Sequence, residues 1–275
     1  MVADVATRLP RPELAGHVGR LWGVRSVGAA ELRSEAPVPG TALIVALEHD
    51  WWIGGRAGDP LTRRTSFAGG VSLGPAVSRH AGRTHLLQVD LTPLGTAAVL
   101  GVPGAALAGD VVDLGDLLGD RAAALLVERL AHADGWPARF GLLQDWIARR
   151  IRDAAAPRPD VAYAVGRIER SGGRVEIAAL QRELGCSRRH LAARVREAVG
   201  VGPKAYARLV RFDRAHRLLR DPTVGLGAVA AACGYADQAH MTREVRASAG
   251  ATPSAVRAQA VVPVTSVQDT AAPAA

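Results

Sequence analysis

Arg188, Arg189, Arg196, Gln238, Arg243 and Arg246 lie close together toward the C-terminal end of the chain and are of the types that nucleic acids attract. A guanidinium pairs bidentately with O6 and N7 of guanine, and a Gln amide with N6 and N7 of adenine. Either group also binds phosphate, which carries no sequence information. Ala192, Ala193, Ala239 and Thr242 are interleaved with them, and such small residues pack on thymine methyls. The chemistry on offer is recognition of a polyanion. The chain has no Walker loop, GxSxG elbow or HExxH pair.

Two segments of one design position these side chains: IAALQRELGCSRRHLAARV, Ile177–Val195, and LGAVAAACGYADQAHMTREV, Leu226–Val245. Each opens with a helical apolar pattern, Ile177, Leu180 and Leu184 in the first and Leu226, Val229, Ala230 and Cys233 in the second. Each pattern stops at a glycine, Gly185 or Gly234, where a positive φ turns the chain sharply. A capping residue follows, Ser187 or Asp237, whose side-chain oxygen satisfies free N–H groups of the next helix. That helix buries an i, i+4 pair, Leu191 with Val195 or Met241 with Val245. Its opposite face presents Arg189, Ala192, Ala193 and Arg196, with Arg188 at the edge. In the second segment the outward set is Ala239, Thr242, Arg243 and Arg246, with Gln238 and His240 near the start. Helix, glycine turn and capped second helix is the helix-turn-helix plan.

Between the segments runs PKAYARLVRFDRAHRLLRDP, which starts on Pro203 as a first-turn proline and stops at Asp221–Pro222. Sixteen or so helical residues span roughly 24 Å. Such a rod holds two recognition helices apart at a fixed spacing, and major-groove faces on one side of B-DNA repeat about every 34 Å.

The second segment with its surroundings, RAHRLLRDPTVGLGAVAAACGYADQAHMTREVRASAGATPSAVR, resembles the AraC/XylS-type transcription regulators. GYADQAHMTREV followed by Gly250, Thr252 and Pro253 is its most specific part. The first segment, GCSRRHLAARVREAVGVGPKAYARLVR, matches less tightly: its unit carries Gln181 where the family usually has a small residue and Arg194 where an apolar one is common. The resemblance covers about residues 160–258, and the N-terminal part is more weakly similar to the sensor half of a subgroup of these regulators. It implies a sequence-specific transcription regulator that binds the major groove of double-stranded DNA. Its base-reading positions would be Arg189, Ala192 and Ala193 in the first unit, and Gln238, Ala239 and Arg243 in the second. Expected partners are RNA polymerase and a small-molecule effector, with the chain acting as a monomer or homodimer. No cofactor, metal or catalysis is expected.

Charge agrees. Residues 160–260 hold 17 basic and 9 acidic side chains, and the rest of the chain holds 17 of each. A local basic field attracts a polyanion and speeds its capture. Apolar runs are far short of a membrane span, and no basic-then-apolar leader opens the sequence, so the cytoplasm is the expected compartment. Cys186 and Cys233 lack CxxC spacing and read as small apolar residues beside the turn glycines.

The fold expected is α+β: a β-rich N-terminal domain with following helices, then an all-α domain with two helix-turn-helix units. Residues 1–157 form the expected sensor domain, β-rich to about residue 92. The proline-bearing link Ala154–Pro159 leads to a DNA-binding domain at 158–260, and 261–275 read as a disordered tail. Strand patterns fall at Arg20–Val27, Thr41–Glu48 and Thr84–Leu91, a short helix at 93–108, and longer helices at Leu114–Ala133 and Pro137–Asp153. Trp22, Trp51 and Trp52 are either pocket walls or packing aromatics, and His49, His80 and His85 have no carboxylate cluster that would make them metal ligands. The rival reading is a DNA repair or modification protein that borrows this reader. It would need a reactive cysteine or metal cluster in residues 1–159, a stretch without cysteine. A third reading gives the N-terminal half oligomerisation alone.

Overall fold

The computed structural model describes residues 2–48, 50–54, 58–259 and 265–267. Within them the N-terminal half is a two-sheet β unit backed by helices, and the C-terminal region is helical, as the α+β expectation has it. The strands run β1 Val2–Arg8, β2 Val18–Val27, β3 Glu31–Glu35, β4 Thr41–Glu48, β5 Trp51–Gly54, β6 Thr62–Arg64, β7 Phe67–Gly69, β8 Ala76–His80 and β9 Arg83–Leu91. Then come α1 Pro93–Leu100, β10 Val111–Asp113, α2 Leu114–Leu118, α3 Asp120–Ala131 and α4 Gly135–Asp153. The C-terminal region holds α5 Pro159–Arg170, α6 Ile177–Glu183, α7 Arg188–Val199, α8 Pro203–Leu219, α9 Leu226–Cys233, α10 Gln238–Ala249 and α11 Pro253–Gln259. Last is β11, Thr265–Val267, parallel to β1 with Asp4 opposite Thr265. The rest of the expected tail lies outside the described residues.

One sheet has the order β10-β7-β4-β9-β2-β1-β11 and the other β3-β8-β5-β6. TALIVALE of β4 is apolar nearly throughout because the first sheet is covered on both faces. Leu43 and Val45 face α1, α3 and α4, where Leu87, Val89, Leu130, Leu143 and Ile147 complete a core. Ile44 and Ala46 point the other way, onto Trp51 and Ile53 of the second sheet. Gly23 belongs to the helix-facing side: a Cβ there would sit 2.3 Å from the Trp136 ring. The pattern over Leu114–Ala133 is divided at Gly119, whose φ of +83° ends α2 and lets α3 start afresh.

A separate core gathers α5 to α11 around Tyr206, Phe212, Leu219, Leu191, Val195, Met241 and Val245. The two halves touch along one seam. Val71 belongs to the C-terminal core, and Ala36 and Leu94 pack against it. The Tyr206 hydroxyl donates to Pro39 O at 3.4 Å and to Glu169 Oε1 at 2.6 Å. Helices α7 and α10 meet the N-terminal half at their C-terminal ends. A Cβ on Gly104 would lie 2.5 Å from Ala198 O at the end of α7, and Ser34 Oγ donates to Ala249 O at the end of α10 at 3.4 Å. Among the described residues no helix is long and apolar enough to cross a membrane.

Candidate nucleic-acid interface

In the first unit α6 ends at Leu184, and Gly185 takes φ +58°. The turn closes with Cys186 N donating to Gln181 O at 3.1 Å. Ser187 then caps α7, its hydroxyl accepting from His190 N at 3.3 Å. In the second unit Gly234 has φ +75°, Tyr235 N donates to Ala230 O at 3.0 Å, and Asp237 accepts from His240 N at 2.6 Å. The capped helices are register copies fifty residues apart: Ser187 and Asp237 as caps, Leu191 and Met241, Val195 and Val245 as buried pairs, Gly200 and Gly250 as left-handed ends. A carboxylate at the second cap also meets the positive end of the helix dipole.

The outward faces are as the spacing expects. Arg188, Arg189, Ala193 and Arg196 are exposed on α7, with Ala192 half-buried. Gln238, Ala239, Arg243 and Arg246 are exposed on α10, with Thr242 and His240 half-buried. Two of these side chains are engaged by their own surroundings. The Thr242 hydroxyl donates to Gln238 O at 2.8 Å. His240 stands edge-on to the Tyr235 ring, with centroids 5.4 Å apart, and its Nε2 lies 3.6 Å from Glu244 Oε1. The exposed arginines also fall at different heights: in the fifty-residue register Arg189 corresponds to Ala239, and Arg243 to Ala193.

The flanks of both helices are pinned by ion pairs. Arg194, in place of an apolar residue, pairs with Asp160 in the first turn of α5. Burial pushes the Asp160 carboxyl up, but Arg194 outweighs it and holds the group below the usual carboxylate value. On α10, Glu244 forms an ion pair with Arg208 of α8, whose Nε lies 3.3 Å from Oε1. Arg174, Lys204, Arg208 and Arg211 were not singled out in the sequence. They lie outside the two repeats, and only the packing of α8 between α6 and α10 brings them to one cleft.

The cysteines are packing residues. Cys233 is buried, and burial raises its thiol pKa; Cys186 is half-buried. His80 and His85 lie apart: His80 Nδ1 accepts from Gly82 N at 3.1 Å in the second sheet, while His85 stands edge-on to Trp136 of α4 and 3.1 Å from Glu48. His49 is outside the described residues. Trp22 and Trp51 pack in the apolar core between the sheets, and Trp52 stacks under Arg79 with the guanidinium 5.1 Å from its ring.

Residues 180–259 match the family model of a helix-turn-helix domain. Among solved structures, ToxT from Vibrio cholerae is 10% identical over 95% of this chain and 99% of its own, with a TM-score of 0.52. ToxT from Vibrio cholerae O395, bound to (E)-4-(8-methylnaphthalen-1-yl)but-3-enoic acid, is 9% identical over 94% and 99%, with a TM-score of 0.52. A probable AraC family transcriptional regulator from Rhodopseudomonas palustris CGA009 is 28% identical over 38% of this chain and 98% of its own, with a TM-score of 0.34. No curated protein matches. The chain thus carries a helix-turn-helix domain over residues 180–259 and shares its overall fold with ToxT.

Proposed function

We propose that the chain sets its two reading helices into successive major grooves on one side of double-stranded DNA. Arg189, Ala192 and Ala193 then read base edges from α7, and Gln238, Ala239, Thr242 and Arg243 from α10. Arg188, Arg196 and Arg246 hold phosphates, and His240 stiffens the start of α10 at the groove. The observation that carries this reading is that two arginine-bearing, exposed helix faces are fixed by one 17-residue helix, α8, about 25 Å long. Residues 158–260 are the reader and residues 1–157 the sensor, acting in the cytoplasm as a monomer or homodimer that recruits or hinders RNA polymerase. The mechanism needs no catalytic step.

The effector belongs in the β unit. The indole nitrogens of Trp22 and Trp51 are buried without hydrogen-bond partners in the apolar core between the sheets, so an effector entering there would be small, largely apolar and equipped with an acceptor group. The ligand in ToxT, an aromatic carboxylic acid, is of this class. Selection of bound sites from a randomised duplex library tests the reading. The expected result is a site with two half-elements about one helical turn apart. Recovery of unselected sequence would overturn it.

A further inference from the structure

The two helix-turn-helix units do not meet flush. Between them lies a cleft of about 550 Å³, walled by the entry to α6, one flank of α8 and the His240–Glu244 flank of α10. Its floor is fixed. Gly173 has φ +75°, and a Cβ there would lie 2.0 Å from Ala207 O of α8. Arg174 crosses from the first unit and lies over the turn glycine of the second, where a Cβ on Gly234 would be 2.6 Å from its Cδ.

The lining is cationic. Arg174, Lys204, Arg208 and Arg211 face Glu176 and Glu244, and Glu244 is already taken by Arg208 and His240. Among the described residues, Arg174, Lys204 and Arg211 have no ion-pair partner. Behind the wall Arg211 stacks on Tyr235, its guanidinium 5.5 Å from the ring, and both Arg211 Nε and the Tyr235 hydroxyl are buried without a hydrogen-bond partner. The whole arrangement has donors in excess of acceptors. Its mouth adjoins the reading face, because His240 precedes Arg243 by three residues, about 60° round the helix.

We infer that this cleft grips the phosphates of the DNA strand that passes between the two major-groove sites. The inference rests on the two-groove reading above, since only then does backbone lie opposite the gap between the units. Phosphate contacts here contribute affinity and fix register without reading sequence. They also explain why the basic excess extends to Arg174, Lys204 and Arg208, beyond the reading helices.

The test uses the full chain and the site recovered from the library. Lys204→Ala removes an exposed charge, and Arg174→Ala removes a second from the opposite wall. Each loss is expected to lower the slope of log K against log salt by about 0.9, and the pair by about 1.8. Affinity should drop equally on all sequences, with base selection unchanged. Methylphosphonate linkages placed between the two half-elements should weaken the wild type and leave the double variant little changed. Unchanged slopes in variants that still select the same site would overturn the cleft assignment and leave the two-groove reading intact. Loss of selection itself would assign these residues a structural role and also overturn it; Lys204→Ala alone guards against misfolding of the pair. Saturable binding of inorganic pyrophosphate with no change in DNA slopes would assign the cleft to a free anion instead.

Discussion

Glu244 on the flank of α10 lies 3.3 Å from Arg208, and at the same register position of α7 the charge is reversed, Arg194 pairing with Asp160. The pairs thus fasten α7 to α5 and α10 to α8. These pairs are partly exposed, and such pairs are worth about 0.2–1 kcal/mol. Asp160→Asn is therefore expected to lower stability by less than about 1 kcal/mol in urea unfolding at pH 7. The loss should vanish in acid. The depressed Asp160 pKa contributes stability above its unfolded value, and that contribution fades as pH falls through the folded one. A loss that persists below pH 3 would assign Asp160 another role.

The two caps are expected to differ. Asp237 accepts at 2.6 Å and carries charge at a helix N-terminus, whereas Ser187 accepts at 3.3 Å. Replacement of a cap by Ala costs about 0.5–2 kcal/mol. Asp237→Ala should fall near the top of that span and Ser187→Ala near the bottom, read as midpoints of urea denaturation. Equal losses would mean that the dipole term is negligible here.

The paired units were legible in the sequence because every level agreed: apolar spacing, turn glycine, cap and buried i, i+4 pair. So were β2, β4 and β9, the three central strands of the larger sheet, whose apolar runs are long. The second sheet was not. Glu31–Glu35 is exposed throughout and reads ELRSE, a polar edge with no buried face to leave a period. Long-range packing was equally silent. Nothing in the local pattern around Val71 or Gly104 signals that they lie against the C-terminal region.

That seam has its own prediction. Gly104→Val must push the Gly104–Ala106 turn away from Ala198 and Val199. Overpacking of this kind costs about 1–3 kcal/mol. The variant should be cut faster by protease within the link at 154–158, and the isolated fragment 158–260 should fold with a lower melting temperature than the full chain, having lost Val71 and the Pro39 contact of Tyr206. An identical melting temperature would mean that the seam contributes nothing.

The seam should also respond to acid. His216 of α8 is held near pH 4 by burial, with Arg220 and Arg20 of β2 adding repulsion to the charged form. A His whose folded pKa lies below its unfolded 6.5 leaves the unfolded state binding more protons between the two values. Stability should therefore fall as pH drops from 6.5 to about 4, by on the order of 2–3 kcal/mol from this group. Asp213 beside it is shifted upward by burial and acts in the opposite sense as it protonates. Comparing wild type with His216→Gln across pH 7 to 4 isolates the histidine, and parallel stability profiles for the two proteins would remove it from the account.

Arg243 and Arg189 decide how the two units share the reading. Arg243 is exposed in the middle of α10, with Gln238 and Ala239 a turn before it, so on the proposed two-groove reading a bidentate donor and a Gln amide would face the same groove. Arg189 stands at the start of α7 with Ala192 and Ala193 beyond it, which offer methyl contacts and no hydrogen bonds. Ala substitution keeps either helix intact, since Ala is the best helix former. If Arg243 pairs with guanine, Arg243→Ala should cost about 1–3 kcal/mol on the best site and relax selection at one position. If it holds only phosphate, all sequences should weaken together and the salt slope should shrink by about one. Arg189→Ala is expected to give the smaller loss of base selection, because its unit presents fewer donors. Measured on one randomised library, a larger loss from Arg189→Ala would reverse that ranking and make α7 the chief reader.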